Sequence, residues 1–484
     1  MKPYTHMLRT GNDTMYIMNL YNTLSKSIEE LTPLNQPFVT LYTCGPTVYD
    51  FTHIGHMRTF VNNDTLKRAL IYAGYKVNHV MNVTDVGHLT GDTDEGEDKL
   101  EKGAKKSGKT VWEVANFFAD NFFQTMTALN VLSATNTCKA TDHIEDMLQL
   151  IKELKQKGFT YETKEAVYFD ISKFPNYGKL SRQKLEDKIQ KARDEVNIDP
   201  EKKHPADFAL WFKCVGRFKD HEMNWDSPYG KGFPGWHIEC SAMSMKYLGE
   251  TIDIHTGGID HIAVHHENEI AQSEAATGKP FVKIWIHNAF LLVDGTKMSK
   301  SLNNFYTIED VHKHSVNPLA LRVLFLQTHY RQEMNFTWDS VNAAQIALKK
   351  LQEQVQVLRN QTRRQTLSED KLKQVDEYRS QFKNSLENDL QTPQAVATVW
   401  SMLKSNIPSE DKLDLLYEFD EVLGLQLRNV SEEIVPQEVQ DKVTQREKAK
   451  QDKDFAKSDE LRKQIDSMGY LVEDGKEGTK VKKK

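Results

Sequence analysis

The chain has 484 residues and a formal net charge of −6, from 63 lysines and arginines against 69 aspartates and glutamates, and this length predicts about two to four domains. It contains no apolar run near the roughly eighteen residues that cross a membrane, no secretion signal, and only four cysteines, which are Cys44, Cys138, Cys214 and Cys240. This composition excludes a membrane protein and a disulfide scaffold, and it predicts a cytoplasmic location, where paired thiols more often bind a metal.

The first predicted elements are a buried parallel strand and the helix that follows it. Residues 38–42 form an apolar run typical of such a strand, and a Gly-Pro pair breaks the run soon afterwards. A helix is expected over about residues 55–72. His53 and His56 therefore lie at a helix N-terminus, where free N–H groups and the helix dipole favour phosphate. Gly55 lies between them and has no side chain, so a nucleotide can approach the backbone closely.

The next elements continue this sheet and then interrupt it. A second apolar strand is predicted over residues 76–81, shortly before Thr84. Helical spacing follows over residues 111–131 and again over residues 144–157, with Thr141 as the predicted N-cap of the second helix.

Two cysteines lie far apart in the sequence but close to nucleotide-binding patterns. Cys44 follows the first predicted strand, and Cys240 lies much later, in the segment 234–243. Free cysteines are usually small buried residues, but these two accompany several histidines and glutamates. Two thiolates, one imidazole and one carboxylate would form a tetrahedral zinc site. The sequence therefore predicts that both cysteines bind a metal.

Several residues compete for the other two ligand positions. His265 and Glu269 are four residues apart on a predicted helix, so they share a face, whereas His266 shares its face with the apolar Ile270. His261 with His265 is a rival pair, although His261 precedes the helix. The spacing favours His265 and Glu269.

A second nucleotide-binding pattern, residues 297–301, follows another apolar stretch past mid-chain. Its lysines, Lys297 and Lys300, provide two ammonium groups that suit a departing pyrophosphate. Helical spacing dominates residues 339–424, which predicts a helical bundle, and residues 430–484 are rich in both charges and end in a hairpin-like segment. Either pattern alone is a weak match, but in this order they indicate two halves of one nucleotide-binding sheet.

The patterns His53-Ile54-Gly55-His56 and Lys297-Met298-Ser299-Lys300-Ser301 match the two hallmark sequences of the class I aminoacyl-tRNA synthetases letter for letter. With Cys44 and the segments 236–243 and 265–269, the chain resembles the cysteinyl-tRNA synthetases of that class, over about residues 21–479. This resemblance implies ATP-dependent activation of L-cysteine to cysteinyl-adenylate, followed by transfer to the terminal ribose of tRNA(Cys). It also implies Mg²⁺ bound with the ATP.

The resemblance implies one Zn²⁺ ion per chain, held by Cys44, Cys240, His265 and Glu269, that binds the substrate thiol. Serine has nearly the shape of cysteine, and shape alone separates such isosteres poorly, whereas zinc prefers soft sulfur. Selection at the metal would remove the need for an editing domain, and none is evident. The residues implied in other roles are His53, His56, Lys297 and Lys300 for catalysis, these four with Gly55, Gly257, Gly258 and Asp260 for ATP binding, and Cys44, Thr84, Trp236 and His255 for cysteine binding.

The fold implied by the resemblance is α/β. It consists of a split Rossmann-type parallel-sheet catalytic domain with a connective insertion, an α-helical bundle and a small C-terminal α+β domain. The expected segments are an N-terminal extension (1–19), the first half of the catalytic domain (20–120), the insertion (121–230), the second half with the zinc site (231–292), the second signature and stem-contact region (293–335), the helical bundle (336–428), and an anticodon-recognition domain with a basic tail (429–484).

Two other functions are weighed against this one. A ligase that joins cysteine to an amino-sugar in mycothiol synthesis resembles the chain in both signatures and in the metal ligands, but it lacks the presumed anticodon module, which lies within the 183 residues that follow Ser301 here. A tRNA-binding paralogue without activity has no chemical reason to keep these residues. The expected partners are tRNA(Cys), ATP and L-cysteine, with no membrane and a monomeric state. The net charge of −6 does not oppose RNA binding, because local patches make such contacts.

Overall fold

The computed structural model describes residues 17–86, 89, 98–183, 199–299, 302, 304–360, 367–431, 436–475 and 478–483. The chain divides into two compact units, Met1–Arg428 and Asn429–Lys484. Lys300, nearly all of the expected N-terminal extension and part of the insertion lie outside the described residues. No described helix is both long enough and apolar enough to cross a lipid bilayer.

The first unit contains the predicted strand, helix and strand near its N-terminus. In chain order its elements are β1 (Asn19–Asn22), β2 (Ser27–Glu30), β3 (Phe38–Thr43), α1 (Ile54–Tyr72), β4 (Lys76–Val83), α2 (Lys99–Ser107), α3 (Val111–Ala128), β5 (Asn136–Lys139), α4 (Ile144–Gln156), β6 (Thr160–Glu162), β7 (Ala166–Phe169), β8 (Phe208–Lys213), β9 (Gly232–Pro234), α5 (Trp236–Leu248), β10 (Ile252–Gly258), α6 (His265–Thr277) and β11 (Val282–Asn288). They are followed by β12 (Leu291–Val293), β13 (Thr296–Lys297), α7 (Ile308–Lys313), α8 (Pro318–Leu326), β14 (Met334–Phe336), α9 (Trp338–Arg359), α10 (Glu369–Glu387), α11 (Thr392–Lys404) and α12 (Ser409–Leu423).

A five-stranded sheet forms the centre of this unit, with the strand order β11-β10-β3-β4-β5. All four neighbouring pairs are parallel, and the strands are apolar because helices cover both faces of such sheets. Chain order reverses between β3 and β10, and ligands bind at the carboxyl ends of the strands at such a reversal. The α/β class predicted from the sequence is confirmed.

The insertion between the two halves of this sheet carries its own antiparallel sheet, β6-β7-β8-β9. Its core is aromatic, and Phe212 stacks on Phe233 with ring centroids 5.0 Å apart. Strand β9 leads directly into α5 through Gly235, so the insertion ends where the predicted segment of Cys240 begins.

One predicted helix cap is wrong. Helix α4 has His143 at its N-cap position, with no side-chain cap. Thr141 lies in the preceding 3₁₀ turn, where its N–H and hydroxyl donate to Asp85 at 3.0 and 2.8 Å. The carboxylate after β4 therefore competes successfully for the hydroxyl that the sequence assigned to the helix.

The second unit, Asn429–Lys484, contains α13 (Gln437–Gln451), α14 (Phe455–Ser467) and the antiparallel strands β15 (Tyr470–Gly475) and β16 (Gly478–Lys483). Its core comprises the buried side chains Val439, Val443, Ile465 and Val472. Arg446 donates two hydrogen bonds to Asp474, at 2.8 and 2.7 Å, and this contact lowers the pKa of the Asp474 carboxyl. The pair ties the first helix of this unit to its hairpin.

A buried charge cluster joins α1 to the helical region of the first unit. The carboxylate of Asp64 accepts hydrogen bonds from Arg322, from Arg68 at 2.7 Å and from the Leu132 N–H at 2.7 Å. The side chains of Asp64 and Arg322 are both completely buried. Burial alone would raise the pKa of Asp64, but the two guanidinium groups lower it overall. The cluster therefore keeps one carboxylate ionised between two cations inside the protein.

We expect Asp64→Asn to lower the free energy of unfolding by about 3–5 kcal/mol, because removal of one partner leaves a buried charge uncompensated. Asp376→Asn is the matched control, since Asp376 pairs with Arg379 on the surface, with 61% and 41% of the side chains exposed, where such pairs contribute about 0–1 kcal/mol. Urea unfolding followed by circular dichroism measures both variants. Equal midpoints for the two variants would contradict the role given to the cluster.

Candidate functional site

Ten of the predicted site residues come together around a cavity of about 540 Å³ at the carboxyl edge of the central sheet. The loop after β3, the start of α1, the end of β10, and α5 and α6 all contribute to it. The predicted residues that line it are Cys44, His53, His56, Thr84, Trp236, Cys240, Gly257, Gly258, Asp260 and His265. The reversal of strand order between β3 and β10 thus places one cleft between residues that are distant in sequence.

A cluster of four potential metal ligands adjoins this cavity, and three of the four residues line it. Cys44, Cys240, His265 and Glu269 each provide one ligand atom, and these four atoms all lie within 4.8 Å of one another. Cys44 follows β3, Cys240 lies on α5, and the other two share one face of α6 because they are four residues apart. All four side chains are buried. Two thiols, an imidazole and a carboxylate at this spacing fit a tetrahedral zinc site.

The electrostatics of the cluster fit a cation. Burial lowers the pKa of His265, but Glu269 and Cys240 outweigh that effect and raise it to about 10. Burial raises the pKa of Glu269, but His255 and His265 lower it to about 2. The hydrogen bond with Cys44, followed by burial, raises the pKa of Cys240 well above its usual value. The neighbouring imidazole thus carries the positive charge that the carboxylate requires, and metal binding would displace that proton.

A second potential ligand set overlaps the first. It consists of Cys44, His255, His266 and Glu269, and the His266 Nε2 atom lies 3.3 Å from the Cys44 sulfur. The sequence disfavoured His266 because its helix neighbour Ile270 is apolar. In the structure His266 is buried against Trp285 and His287. Its position on a buried helix face therefore does not keep it away from Cys44.

Contacts with the cavity distinguish the two sets. Cys44, Cys240 and His265 line the cavity, whereas His255 and His266 do not. His255 lies behind the cluster, where its Nε2 atom is 3.0 Å from Glu269 and its ring stacks on Trp285. The prediction that His255 belongs to the cysteine pocket thus has no counterpart in the cavity lining. The structure places its ring against the Glu269 carboxylate, and its role in cysteine binding stays a prediction.

His53 and His56 of the first signature also line the cavity. His53 is the N-cap of α1, and its Nδ1 atom accepts a hydrogen bond from the His56 N–H at 3.2 Å. The two rings stack with centroids 3.7 Å apart, and burial lowers the pKa of His56. A Cβ atom on Gly55 would lie 3.0 Å from the His53 ring and 3.4 Å from the Met298 methyl group. The glycine thus allows the two signatures to pack against each other.

The second signature is only partly described. Lys297 is exposed on β13, with its Nζ atom 6.0 Å from the centre of the Phe290 ring, and it does not line the cavity. Met298 and Ser299 do line it. Lys300, the other predicted catalytic lysine, lies outside the described residues.

The glycines at the end of β10 are required for packing within the protein. A Cβ atom on Gly257 would lie 2.5 Å from the His266 ring and 2.7 Å from the His261 ring. At Gly258 it would lie 2.3 Å from the carboxylate of Asp260. The sequence explained both glycines by a close approach of adenosine. The structure adds that histidine rings already fill the space beside Gly257.

Two buried carboxylates near the site were missed at the sequence level. Glu239 accepts a hydrogen bond from the Thr84 hydroxyl at 2.8 Å, and burial raises its pKa well above the usual value. Glu267 accepts hydrogen bonds from three backbone N–H groups of residues 178–181, so it anchors the insertion. Trp236 packs against His265 with ring centroids 4.1 Å apart. The sequence does contain a signal for Glu239: a carboxylate that lies between Ile238 and Cys240 on an otherwise apolar helix is expected to be buried.

Comparison with known proteins gives consistent matches over most of the chain. Residues 30–346 match the family of tRNA synthetases class I (C) catalytic domain. A cysteine–tRNA ligase of Treponema denticola is 43% identical over 94% of this chain and 98% of its own length. Cysteine–tRNA ligase 1 of Burkholderia lata is 42% identical, with 96% of each chain covered.

Two solved structures share the fold. Methionyl-tRNA synthetase of Mycobacterium tuberculosis, in complex with methionyl-adenylate, has a TM-score of 0.54 at 15% identity, covering 80% of this chain and 90% of that one. A ternary complex of Agrobacterium radiobacter K84 agnB2 LeuRS with tRNA and LeuAMS has a TM-score of 0.59 at 13% identity, covering 83% and 85%.

We expect Gly257→Ala to destabilise the protein by about 1–3 kcal/mol, because the added methyl group overpacks the site against the His266 and His261 rings. Gly103→Ala is the control, since its Cβ atom would make only an ordinary contact with Val114 and alanine favours a helix over glycine. Thermal unfolding measures both variants. A Gly257→Ala midpoint at or above that of Gly103→Ala would contradict the packing described.

Proposed function

The chain belongs to the cysteine–tRNA ligases, a family of class I tRNA synthetases, and on that premise we propose that Cys44, Cys240, His265 and Glu269 bind one Zn²⁺ ion that holds the thiol of L-cysteine. The observation that carries the proposal is the convergence of their four ligand atoms within 4.8 Å, with three of the four residues lining the cavity. The donors suit zinc, which binds thiolate, imidazole and carboxylate.

This assignment explains how cysteine is distinguished from serine. The two amino acids have nearly the same shape, and a pocket that reads shape alone rejects an isostere only weakly. A bound zinc ion lowers the pKa of a thiol and prefers sulfur, while a serine hydroxyl stays protonated. Trp236 packs beside His265, and in this proposal its ring and Thr84 form the walls around the small side chain.

The overlapping ligand set acts as support for this site. His255 holds one oxygen of Glu269, and His265 lies 2.9 Å from the other. His266 lies against Cys44 on one side and His287 on the other. Such partners orient metal ligands and keep them in place. We therefore assign His255 and His266 to the positioning of Glu269 and Cys44.

The nucleotide region supports the first reaction step. The cysteine carboxylate attacks the α-phosphorus of ATP, cysteinyl-adenylate forms, and pyrophosphate leaves with Mg²⁺. His53 and His56 at the N-terminus of α1 stabilise the phosphate charge, with Gly55 allowing close approach. Lys297 and Lys300 stabilise the negative charge on the departing pyrophosphate. No protein side chain acts as the nucleophile, so positioning and electrostatic stabilisation supply the rate.

The second step transfers cysteine to the 3′-terminal ribose of tRNA(Cys), with Gly257, Gly258 and Asp260 holding the adenosine. We assign the helices of residues 336–428 to the inner side of the tRNA and residues 429–484 to anticodon recognition. The match to cysteine–tRNA ligases includes this C-terminal region, which disfavours the amino-sugar ligase. We also propose that the protein acts as a monomer in the cytoplasm.

Metal analysis tests the ligand assignment. We expect one zinc per chain in the wild type, loss of most of it in Cys240→Ser, and retention in Cys138→Ser, because Cys138 is buried but belongs to neither ligand set. His266→Gln separates the two sets and should keep its zinc. Plasma mass spectrometry of the purified proteins measures the content. If His266→Gln loses its zinc and Cys240→Ser retains it, the second ligand set, and not the first, binds the metal.

ATP–pyrophosphate exchange tests the second signature. We expect Lys300→Ala to slow exchange by about 100- to 1000-fold, since a cation that stabilises developing charge contributes at that level, while the zinc content stays unchanged. Lys313→Ala is the matched control, because Lys313 is exposed and pairs with Asp310 at 3.3 Å. An unaltered exchange rate in Lys300→Ala would refute the catalytic role of that lysine.

A further inference from the structure

In the proposed function the cavity receives anionic groups, namely the carboxylate of cysteine and the phosphates of ATP, yet lysines and arginines are rare in its described lining. Among the described residues that line it, Lys99 is the one lysine or arginine. Asp50 and Asp260 also line the cavity and add negative charge. A carboxylate that enters such a cavity needs a cation or hydrogen-bond donors to replace its water. Lys99 belongs to neither signature and to no ligand set.

The position of Lys99 associates it with the wall around Thr84. Its Nζ atom lies 4.8 Å from the centre of the Tyr49 ring, and both residues line the cavity. Tyr49 follows Val48, whose N–H donates to the Thr84 carbonyl at 3.1 Å. The Thr84 N–H in turn donates to the Pro46 carbonyl at 3.0 Å. Lys99 therefore lies beside the strand end that carries the cysteine pocket.

The helix that carries Lys99 is firmly held. Lys99 is the first residue of α2, and the preceding Asp98 accepts hydrogen bonds from the N–H groups of Leu100 and Glu101 at 2.7 and 3.1 Å. The other oxygen of Asp98 lies 3.1 Å from the buried ring of His221, and that ring stacks on Phe233 with centroids 3.8 Å apart.

The stretch of chain that contains Phe233 also determines the position of Trp236, the proposed wall of the cysteine pocket. Phe233 lies in β9, and α5 begins three residues later with Trp236. The base of Lys99 and the wall of the cysteine pocket are thus fixed by one short stretch of chain, which sets the distance between them. A lysine at a fixed helix start, with its ammonium group over an aromatic ring, is suited to hold a carboxylate in one orientation.

We propose that Lys99 binds the α-carboxylate of L-cysteine and orients it for attack on ATP. The proposal rests on the function proposed above, in which the zinc ion bound by Cys44, Cys240, His265 and Glu269 holds the sulfur of cysteine. A cysteine fixed there by its sulfur extends its carboxylate into the same cavity, where Lys99 is the one lysine or arginine among the described lining residues. The ATP phosphates belong to the N-terminus of α1 and to the second signature. The ammonium–carboxylate contact positions the attacking oxygen without any covalent step by the protein.

The test compares two thiols on zinc-loaded full-length protein by titration calorimetry. L-cysteine has the carboxylate, whereas cysteamine keeps the thiol and the amine but lacks it. We expect Lys99→Met to weaken L-cysteine binding by about 10- to 100-fold, the range of a charge-assisted hydrogen bond, and to leave cysteamine binding unchanged. Lys99→Arg should restore much of the L-cysteine affinity. Lys102→Met, at an exposed lysine of the same helix, is the matched control and should bind both thiols as the wild type does.

Three results would overturn the proposal. Equal weakening of both thiols would show that Lys99 only supports the pocket wall. Unchanged L-cysteine affinity with reduced tRNA charging would assign Lys99 to the RNA. Failure of the wild type to bind either thiol would overturn the zinc-based function itself, and this assignment with it. Lys99→Gln, which retains a polar side chain, replaces Lys99→Met if the latter has a lower unfolding temperature than the control.

Discussion

The parallel pairing of β3 with β10 is the constraint on which the rest of the structure depends. Leu41, Tyr42 and Thr43 lie opposite Ile254, His255 and Thr256, and the Cys44 N–H continues the ladder by donating to the Thr256 carbonyl at 3.2 Å. This pairing joins two halves of a sheet that are separated by the whole insertion. It fixes the sulfur of Cys44 beside the helices that carry Cys240, His265 and Glu269, so one strand register sets the geometry of the candidate metal centre.

Charge inside the protein is organised around carboxylates that have fixed partners. Glu269 is shared by two imidazoles, and Asp64 by two guanidinium groups. In both clusters burial opposes ionisation of the carboxyl, and the neighbouring basic groups reverse that effect. A buried carboxylate held in this way is a rigid anion, because it has no water to exchange with. At Glu269 that rigidity suits the proposed role as a metal ligand, whereas at Asp64 it ties α1 to the helical region.

The sequence was sufficient for the parts of the site that local patterns encode. The apolar run before Cys44 predicted β3, the helix after Gly55 is α1, and the four-residue spacing of His265 and Glu269 placed both on one face of α6. The α/β class, the family and the cysteine–tRNA ligase activity followed from the two signatures and the cysteines. The segment bounds and the individual site roles stay predictions.

Tertiary contacts explain what the sequence could not provide. Thr141 caps no helix because Asp85 takes its hydroxyl, and the proximity of His266 to Cys44 depends on the register of β10 against β3. His221 contacts Asp98 across more than a hundred residues, so the support of Lys99 has no local signature. Glycine at position 257 indicates a close approach, but only the fold shows that histidine rings make it.

X-ray absorption at the zinc edge tests the central claim, which is that a metal held by two protein sulfurs selects a third from the substrate. The account predicts two sulfur neighbours at about 2.3 Å in the purified enzyme, three after addition of L-cysteine, and two after addition of L-serine. A sulfur count that does not change with L-cysteine, or a zinc ion surrounded only by nitrogen and oxygen, would contradict it.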